Sequence, residues 1–402
     1  MKIAVLHSGN IGFFPRYYKA INAAAKERGD NIALFVPNSG RNHRTILPDQ
    51  QLWGTRLNWF IHSHLYKLTG VQDIFSVIET MCLIRKLKLY QPDLLHFNIL
   101  NDKIINMPML VNFINKHNIP VIWTMHDCRA FTGQCPYFDE VGCSKWKTGC
   151  GQCPLCETKV DNTYFTWEIR RKYHAGIKNL TIITPSQWLA NFVKLSIFKE
   201  HPIKVIYNGV DLSGFSKRID CNVRKMFHIP ESKHIVLGCA INWEERKGII
   251  YFEKLVNILP SDYQIVLVGN INEGTRKQLC ENNIICTGKT RNFEELVAWY
   301  QAASVLCNPT LADNFPTVNI EALAAGTPIV TFQTGGSPEA IDERTGIVVP
   351  QGNVEALCKA IIRIAEHREL YTKENCRQRS LLFSNNQYNK YIELYHKILA
   401  NS

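Results

Sequence analysis

DNFPTVNIEALAAG, residues 313–326, reads as a turn that opens a helix and ends it on a glycine. Asn314 and Pro316 belong to turn chemistry, the run from Thr317 holds no helix breaker, and Gly326 precedes the apolar strand PIVTFQT. Strand, turn, helix and strand in this order are the repeating unit of a doubly wound α/β sheet. Asp313 stands in the turn and Glu321 on the helix, eight residues apart. Backbone N–H groups at a helix N-terminus, with the helix dipole behind them, suit a phosphate. A carboxylate two turns further on cannot assist a phosphate, but it can accept hydrogen bonds from vicinal hydroxyls such as those of a ribose. The same residues would also serve an ordinary helix with a capping aspartate and an incidental glutamate.

Working outward, KIAVLHSG, DLLHFNIL, PVIWTMHD and LTIITPS read as strands in the first half, and HIVLGCAIN, YQIVLVGN, NIICTGK and VLCNPTL join PIVTFQT in the second. Near-continuous Val/Ile/Leu runs separated by helices indicate parallel sheets covered on both faces. A length of 402 residues suits two domains rather than one core. The polar stretch YNGVDLSGFSKRIDCN, after the strand IKVIY, fits the link. The expected domains are 1–207, including a cysteine-rich insertion at 128–156 and a C-terminal helix at 385–402 that packs back, and 208–384. Ligands of such sheets bind at the carboxyl ends of the strands, so two facing sheets place them in a cleft.

Two further segments border the first. WEERKG (243–248) follows a strand and opens a helix, so Arg246 and Lys247 can neutralise a diphosphate or form a solvated basic face. TGGSPEAI (334–341) follows the next strand, and its paired glycines let the backbone approach a ligand.

The balance of 46 Lys+Arg against 35 Asp+Glu gives a net charge of +11. It attracts anions, whether nucleic acid, anionic lipid or phosphorylated substrate. The basic residues are scattered and no nucleic-acid-binding pattern is visible, so nucleic acid is not an expected partner. The start, MKIAVLHSGNIG, lacks the features of a signal peptide, and no apolar run is long enough to span a bilayer. The expected location is the cytoplasm.

Of 14 cysteines, eight are scattered in mostly apolar contexts. The others crowd one segment: Cys135, Cys143, Cys150 and Cys153, preceded by Cys128 and followed by Cys156. Thiolates on short turns can converge on Zn2+, disulfides suit an oxidising compartment, and free thiols in an insertion are the third reading.

In their order the segments TPSQWLA (184–190), NGVD (208–211) with Phe215, Lys247-Gly248, the stretch 313–326, TGGSPEAI and a late tyrosine-rich helix resemble the retaining family-four glycosyltransferases, also termed glycosyl transferases group 1. That resemblance implies the GT-B fold, two Rossmann-like domains facing across a cleft, and transfer of a sugar from a nucleotide-diphosphate donor with retained configuration. It implies no catalytic metal. By it, Glu321 holds the ribose and Asp313 the donor-sugar hydroxyls. Lys247, with Arg246 beside it, binds the diphosphate. Asn314, Phe315, Pro316 and Thr317 surround the sugar and phosphate, Gly12 closes over the phosphates, and His126 lies beside the reacting sugar. A subgroup of the family has a similar HD-x-W-AFTG…WKTGC-x-x-CP insertion, which points to Cys135, Cys143, Cys150 and Cys153 as ligands of a structural zinc. The chain departs from the family in four places. Asp313 replaces the usual Glu, Ile241 and Asn242 stand where an Arg is common, the opening turn lacks paired glycines, and Arg129 replaces the subgroup tryptophan.

The first half must then hold the acceptor, expected to be a saccharide or lipid-linked saccharide of bacterial surface or capsular polysaccharide synthesis. FFPRYYKAI (13–21) and RLNWFIHSHLYKL (56–68) mix aromatic and basic residues. They are either core-facing helices or surfaces that rest on an anionic bilayer at the inner face of the membrane. The rival functions are a non-catalytic zinc-stapled scaffold, or an epimerase or phosphorylase on the same fold.

Overall fold

A computed structural model describes residues 1–10, 12–39, 42–43, 45–100, 105–217 and 219–401. Ile11 of the opening turn, Arg218 of the polar link and Ser402 lie outside them. The chain divides into two compact units, Met1–Tyr207 with Asn386–Ser402, and Asn208–Asn385.

The first unit runs β1 (Lys2–Leu6), α1 (Phe14–Glu27), β2 (Asn31–Pro37), β3 (Gln50–Trp53), α2 (Arg56–Thr69), α3 (Val77–Tyr90), β4 (Leu94–Phe97), α4 (Met107–Lys116), β5 (Val121–Thr124), α5 (Thr163–Ile169), β6 (Leu180–Thr184), α6 (Gln187–Val193) and β7 (Ile203–Val205). Its seven parallel strands lie in the order β3-β2-β1-β4-β5-β6-β7. Successive residues of a strand face opposite sides. Ala4 and Leu6 of β1 therefore join one core, with Phe35, Trp123 and Leu189. Ile3 and Val5 join the other, with Tyr17 and Ile21 of α1 and Tyr388, Tyr391 and Tyr395 of the C-terminal helix Gln387–Ala400. Burial on both faces accounts for the continuous apolar runs.

The second unit continues with α7 (Val223–Met226), β8 (His234–Asn242), α8 (Ile249–Leu255), β9 (Tyr263–Asn270), α9 (Glu273–Glu281), β10 (Ile285–Gly288), α10 (Phe293–Ala302), β11 (Val305–Asn308), α11 (Thr317–Ala325), β12 (Ile329–Phe332), β13 (Gly346–Val349), α12 (Val354–Glu366) and α13 (Lys373–Leu381). Its six parallel strands follow the order β10-β9-β8-β11-β12-β13. Each unit is thus a Rossmann-like sheet, as expected. The strand order reverses between β1 and β4 in the first unit and between β8 and β11 in the second. A crevice at the carboxyl ends of two such strands is the usual ligand position in this architecture.

Among the described residues no helix is long and apolar enough to cross a membrane.

Candidate functional site

The crevice of the second unit lies where β8 leads into residues 243–248 and β11 into residues 309–316. These two loops are pressed together. A Cβ on Gly248, whose φ is +75°, would fall 2.0 Å from the carbonyl oxygen of Pro309, so only glycine fits there. Leu311 N–H donates to the carbonyl of Arg246 at 2.8 Å, and the Thr310 hydroxyl donates to the same oxygen.

This clamp carries the basic pair onto Asp313. Lys247 Nζ lies 2.5 Å from Asp313 Oδ2, and Arg246 Nη1 lies 3.8 Å from the same oxygen. Arg246 also donates to the carbonyl of Ala312 at 2.7 Å. The sequence left open a solvated basic face; instead both cations are directed to the turn before α11.

A second close approach fixes that turn from the other side. A Cβ on Gly335 (φ +56°) would lie 1.7 Å from the backbone oxygen of Asp313, and Gly336 N–H donates to that oxygen at 3.3 Å. The paired glycines of TGGSPEAI were read as room for a ligand. Gly335 is used to bring its own loop against Asp313.

Helix α11 starts after Pro316 with no side-chain cap, so Asp313 is not a capping aspartate. Asn314 and Phe315 are buried in the turn; Phe315 packs against Phe383 at 5.3 Å, and its carbonyl accepts from Asn208 Nδ2. A buried polar chain holds the helix in place. Asn308 Nδ2 donates to Asn319 Oδ1 at 2.8 Å, Asn319 Nδ2 donates to Ser337 Oγ at 2.9 Å, and Thr331 Oγ1 lies 2.7 Å from Ser337 Oγ. Glu321, on the same helix, is 6% exposed and accepts a 2.9 Å hydrogen bond from the Tyr300 hydroxyl. Tyr300, Asn308, Asn319 and Ser337 were missed in the sequence. Their only signal is a polar residue within an apolar strand or helix, which by itself names no partner.

In the first unit, the carboxyl ends of β1, β4 and β5 deliver His7, Asn98 and His126. His126 Nε2 shares a 3.0 Å hydrogen bond with Asn98 Oδ1, and its ring meets Tyr17 edge-on at 5.6 Å. Desolvation holds its pKa down at about 4, so it is neutral at pH 7. His7 stacks on Phe14 at 3.4 Å; burial first, and His126 second, lower its pKa well below the ordinary value. His96, buried beneath, bonds Tyr395 at 2.6 Å and Thr124 at 2.8 Å. Gly12, at φ +63°, turns the chain from β1 into α1, and a Cβ there would meet nothing.

The cysteine-rich insertion belongs to the first unit. All fourteen cysteines are free thiols. Cys135, Cys143, Cys150 and Cys153 are neighbours, and Gly133 N–H donates to Cys150 Sγ at 3.2 Å. Among the described residues, however, no three His, Cys, Asp or Glu are gathered to hold a metal ion. Phe131, Phe138 and Trp146 of the insertion are buried in the core of the unit, with Trp146 stacked on Phe138 at 4.9 Å and edge-on to Phe192. Trp167 Nε1 donates to the Trp146 carbonyl at 2.9 Å, and Arg170 Nη1 donates to the carbonyls of Arg129 and Thr132.

Residues 16–213 match the family described as Glycosyltransferase Family 4, and residues 232–367 match Glycosyl transferases group 1. The chain is 23% identical over 275 residues to the putative colanic acid biosynthesis glycosyl transferase WcaC of Escherichia coli (strain K12), which covers 65% of each chain. It is 25% identical over 235 residues to N-acetyl-alpha-D-glucosaminyl L-malate synthase of Bacillus anthracis, 56% of this chain and 60% of that protein. The matches thus span somewhat less than two-thirds of these relatives' length. In fold, the chain superposes on sucrose-phosphate synthase from Thermosynechococcus elongatus with a TM-score of 0.73 at 18% identity, covering all of both chains. For HepE of Anabaena in complex with UDP the TM-score is 0.67 at 16% identity, over 99% of this chain and all of that one.

Proposed function

We propose, from the premise that the chain belongs to the glycosyltransferases of family 4 and group 1, whose two regions together match more than four-fifths of it, that it transfers a sugar from a nucleotide-diphosphate donor to a saccharide or lipid-linked saccharide. The observation that carries this reading is the convergence of Lys247 and Arg246 on Asp313 at the uncapped start of α11. Two cations and a helix N-terminus form a diphosphate site that needs no divalent metal. Donor diphosphate would take Lys247 and Arg246, the donor-sugar hydroxyls would take Asp313, and Asn314, Phe315 and Thr317 would line the sugar and phosphate. Pro316 has no N–H to offer. Glu321, buried and already oriented by Tyr300, suits the ribose hydroxyls.

In the reaction the acceptor oxygen bonds to the anomeric carbon, the bond from that carbon to the diphosphate oxygen breaks, and the electron pair leaves with the nucleoside diphosphate. With retention, the acceptor proton passes to the departing diphosphate on the same face. Lys247 stabilises the charge that develops there. Neutral His126, held by Asn98, would accept or donate a hydrogen bond at the sugar, and Gly12 would flank the phosphates.

Support for an acceptor of surface-polysaccharide synthesis comes from relatives such as WcaC, named for colanic acid biosynthesis. A cytoplasmic chain resting on the inner face of the membrane would meet a lipid-linked acceptor. UDP-sugars are the first donors to test, because a HepE structure holds UDP. Calorimetry with UDP- and GDP-sugars, followed by donor hydrolysis, tests the reading; a protein that binds none of them is not a nucleotide-sugar transferase.

A structural zinc on Cys135, Cys143, Cys150 and Cys153 is a separate proposal. Four free thiols within one loop support it, and it requires the sulfurs to draw closer than they stand here. Protein purified without added zinc would carry close to one metal per chain, and a substoichiometric trace would dismiss it.

A further inference from the structure

Of the 23 exposed large apolar side chains among the described residues, eight lie on two helices of the first unit. On α2, Leu57, Phe60, Ile61 and Leu68 face outward, and Tyr66 is its one buried residue. On α3, Val77, Ile78, Met81 and Leu89 face outward. Within each helix the spacing is three, four, seven and eleven residues, as for Leu57, Phe60, Ile61, His64 and Leu68, or Ile78, Met81, Cys82, Arg85 and Leu89. A helix presents residues so spaced on one side. Such a stripe normally faces a core; these two face away from it. Leu57, Leu68, Ile78 and Leu89 are each more than 60% exposed.

The charge these helices expose is positive. Arg56 and Lys67 lie on α2, and Arg85, Lys86 and Lys88 on α3. Their single acidic residue, Glu79, is buried and lies 3.2 Å from His62 Nε2, a contact that also ties α3 to α2. A second copy of the chain seated symmetrically on this surface would set the same cations against themselves. An anionic lipid bilayer supplies both complements, a negative surface for the cations and an apolar interior for Leu, Ile, Phe and Met.

We infer that the exposed stripes of α2 and α3 form the surface by which this chain docks on an anionic bilayer. The inference rests on the proposed lipid-linked acceptor only for its purpose; the surface itself is independent of the donor site. Basic side chains would draw the protein to the headgroups and the apolar side chains would enter the interface, so binding requires both.

The test is co-flotation of the full chain with vesicles of phosphatidylglycerol and phosphatidylcholine, compared with phosphatidylcholine alone. The wild type should partition at least about tenfold better onto anionic vesicles, and both Phe60→Ser/Ile78→Ser and Arg85→Glu/Lys88→Glu should lose at least about tenfold. Each variant should keep the wild-type melting temperature and hydrolyse a nucleotide sugar in solution at the wild-type rate. That second assay reads the donor site alone, so its failure in the wild type counts against the proposed activity and not against docking. Equal binding to both vesicle types, or variants that float like the wild type, would overturn the inference. So would a wild-type dimer that both variants convert to monomer without changing flotation, which would assign the stripes to a second copy.

Discussion

Lys247 Nζ stands 2.5 Å from Asp313 Oδ2, joining two loops that lie 66 residues apart in the chain. The side chains are only 24% and 15% exposed, but Arg246, 3.8 Å from the same oxygen, still faces Asp313 when Lys247 is removed, so the loss of stability should be small. The pair's placement at the start of α11 gives it a different use. Lys247→Ala should lower kcat/KM by about 10²- to 10³-fold, the typical loss for one preorganised donor at a site of developing negative charge. The melting temperature should shift by no more than a degree or two, for an effect of well under about 1 kcal/mol. Steady-state kinetics beside a thermal melt checks both parts. Full activity would remove Lys247 from the diphosphate site.

Tyr300 and Glu321 offer a separate handle on the ribose end. The Tyr300 hydroxyl donates to Glu321 Oε2 within a buried setting. Tyr300→Phe removes this hydrogen bond to a charged group, at a cost of about 1.5–3 kcal/mol. It should also weaken nucleotide binding, because the carboxylate loses a contact that helps to orient it. Calorimetry with the nucleoside diphosphate and with inorganic pyrophosphate, which lacks the ribose, separates the two ends: the first should weaken and the second should not.

Much of this site was legible because its chemistry lies on short continuous segments. Asp313, Phe315, Thr317 and Glu321 share one turn and helix, and Arg246 and Lys247 are adjacent. What escaped depends on contacts between distant segments. Tyr300 reads as one more residue of an apolar helix until α10 is placed beside α11. Gly335 reads as a ligand-facing glycine until its loop meets Asp313. In the fold, β3 and β13 were not read as strands. Each has four residues and lies at a sheet edge, paired on one side only, so neither needs a long apolar run. The run NIALFVP of β2 is as apolar as β1 and was passed over. The packing of the insertion was illegible for a further reason. Its cysteines, glycines and lysines dominate the composition, while Phe131, Phe138 and Trp146 carry the packing.

Acid should destabilise the first unit. Burial lowers the pKa of His96 to about 3 and that of His174 to about 4, from 6.5. Between those values the unfolded chain binds protons that the folded chain does not, so stability rises with pH. The contribution is complete above about pH 6.5 and is lost as pH falls towards 4, by up to about 1.4 kcal/mol per pH unit for each histidine. Urea denaturation at half-unit steps from pH 7 to 4 measures it. His174→Asn should flatten the slope. A midpoint that holds constant over this window would contradict the burial of these rings.

Arg170 is the remaining test, because it ties the insertion to the rest of its unit. It is 1% exposed and starts a single π-helical turn, Arg170–His174. Its guanidinium donates to Asp73 Oδ2 at 2.8 Å, to Gln72 Oε1 at 2.7 Å and to the Thr132 carbonyl at 2.8 Å. Arg170→Met leaves Asp73 buried without its ion-pair partner, beside a His174 ring 3.6 Å away whose pKa of about 4 keeps it neutral at pH 7. Breaking a buried pair in this way costs about 3–5 kcal/mol. Asp73 has a φ of +72°, a conformation that asparagine tolerates well. The double variant Arg170→Met/Asp73→Asn should therefore recover part of the loss, since no charge is left buried. Transfer activity should not recover with it, because the Arg129 and Thr132 carbonyls, three and six residues past His126, still lack their donor. Denaturation of the single and double variants in one cycle, with activity measured on each, decides the point. If the double variant regains activity along with stability, the guanidinium does not position the His126 loop.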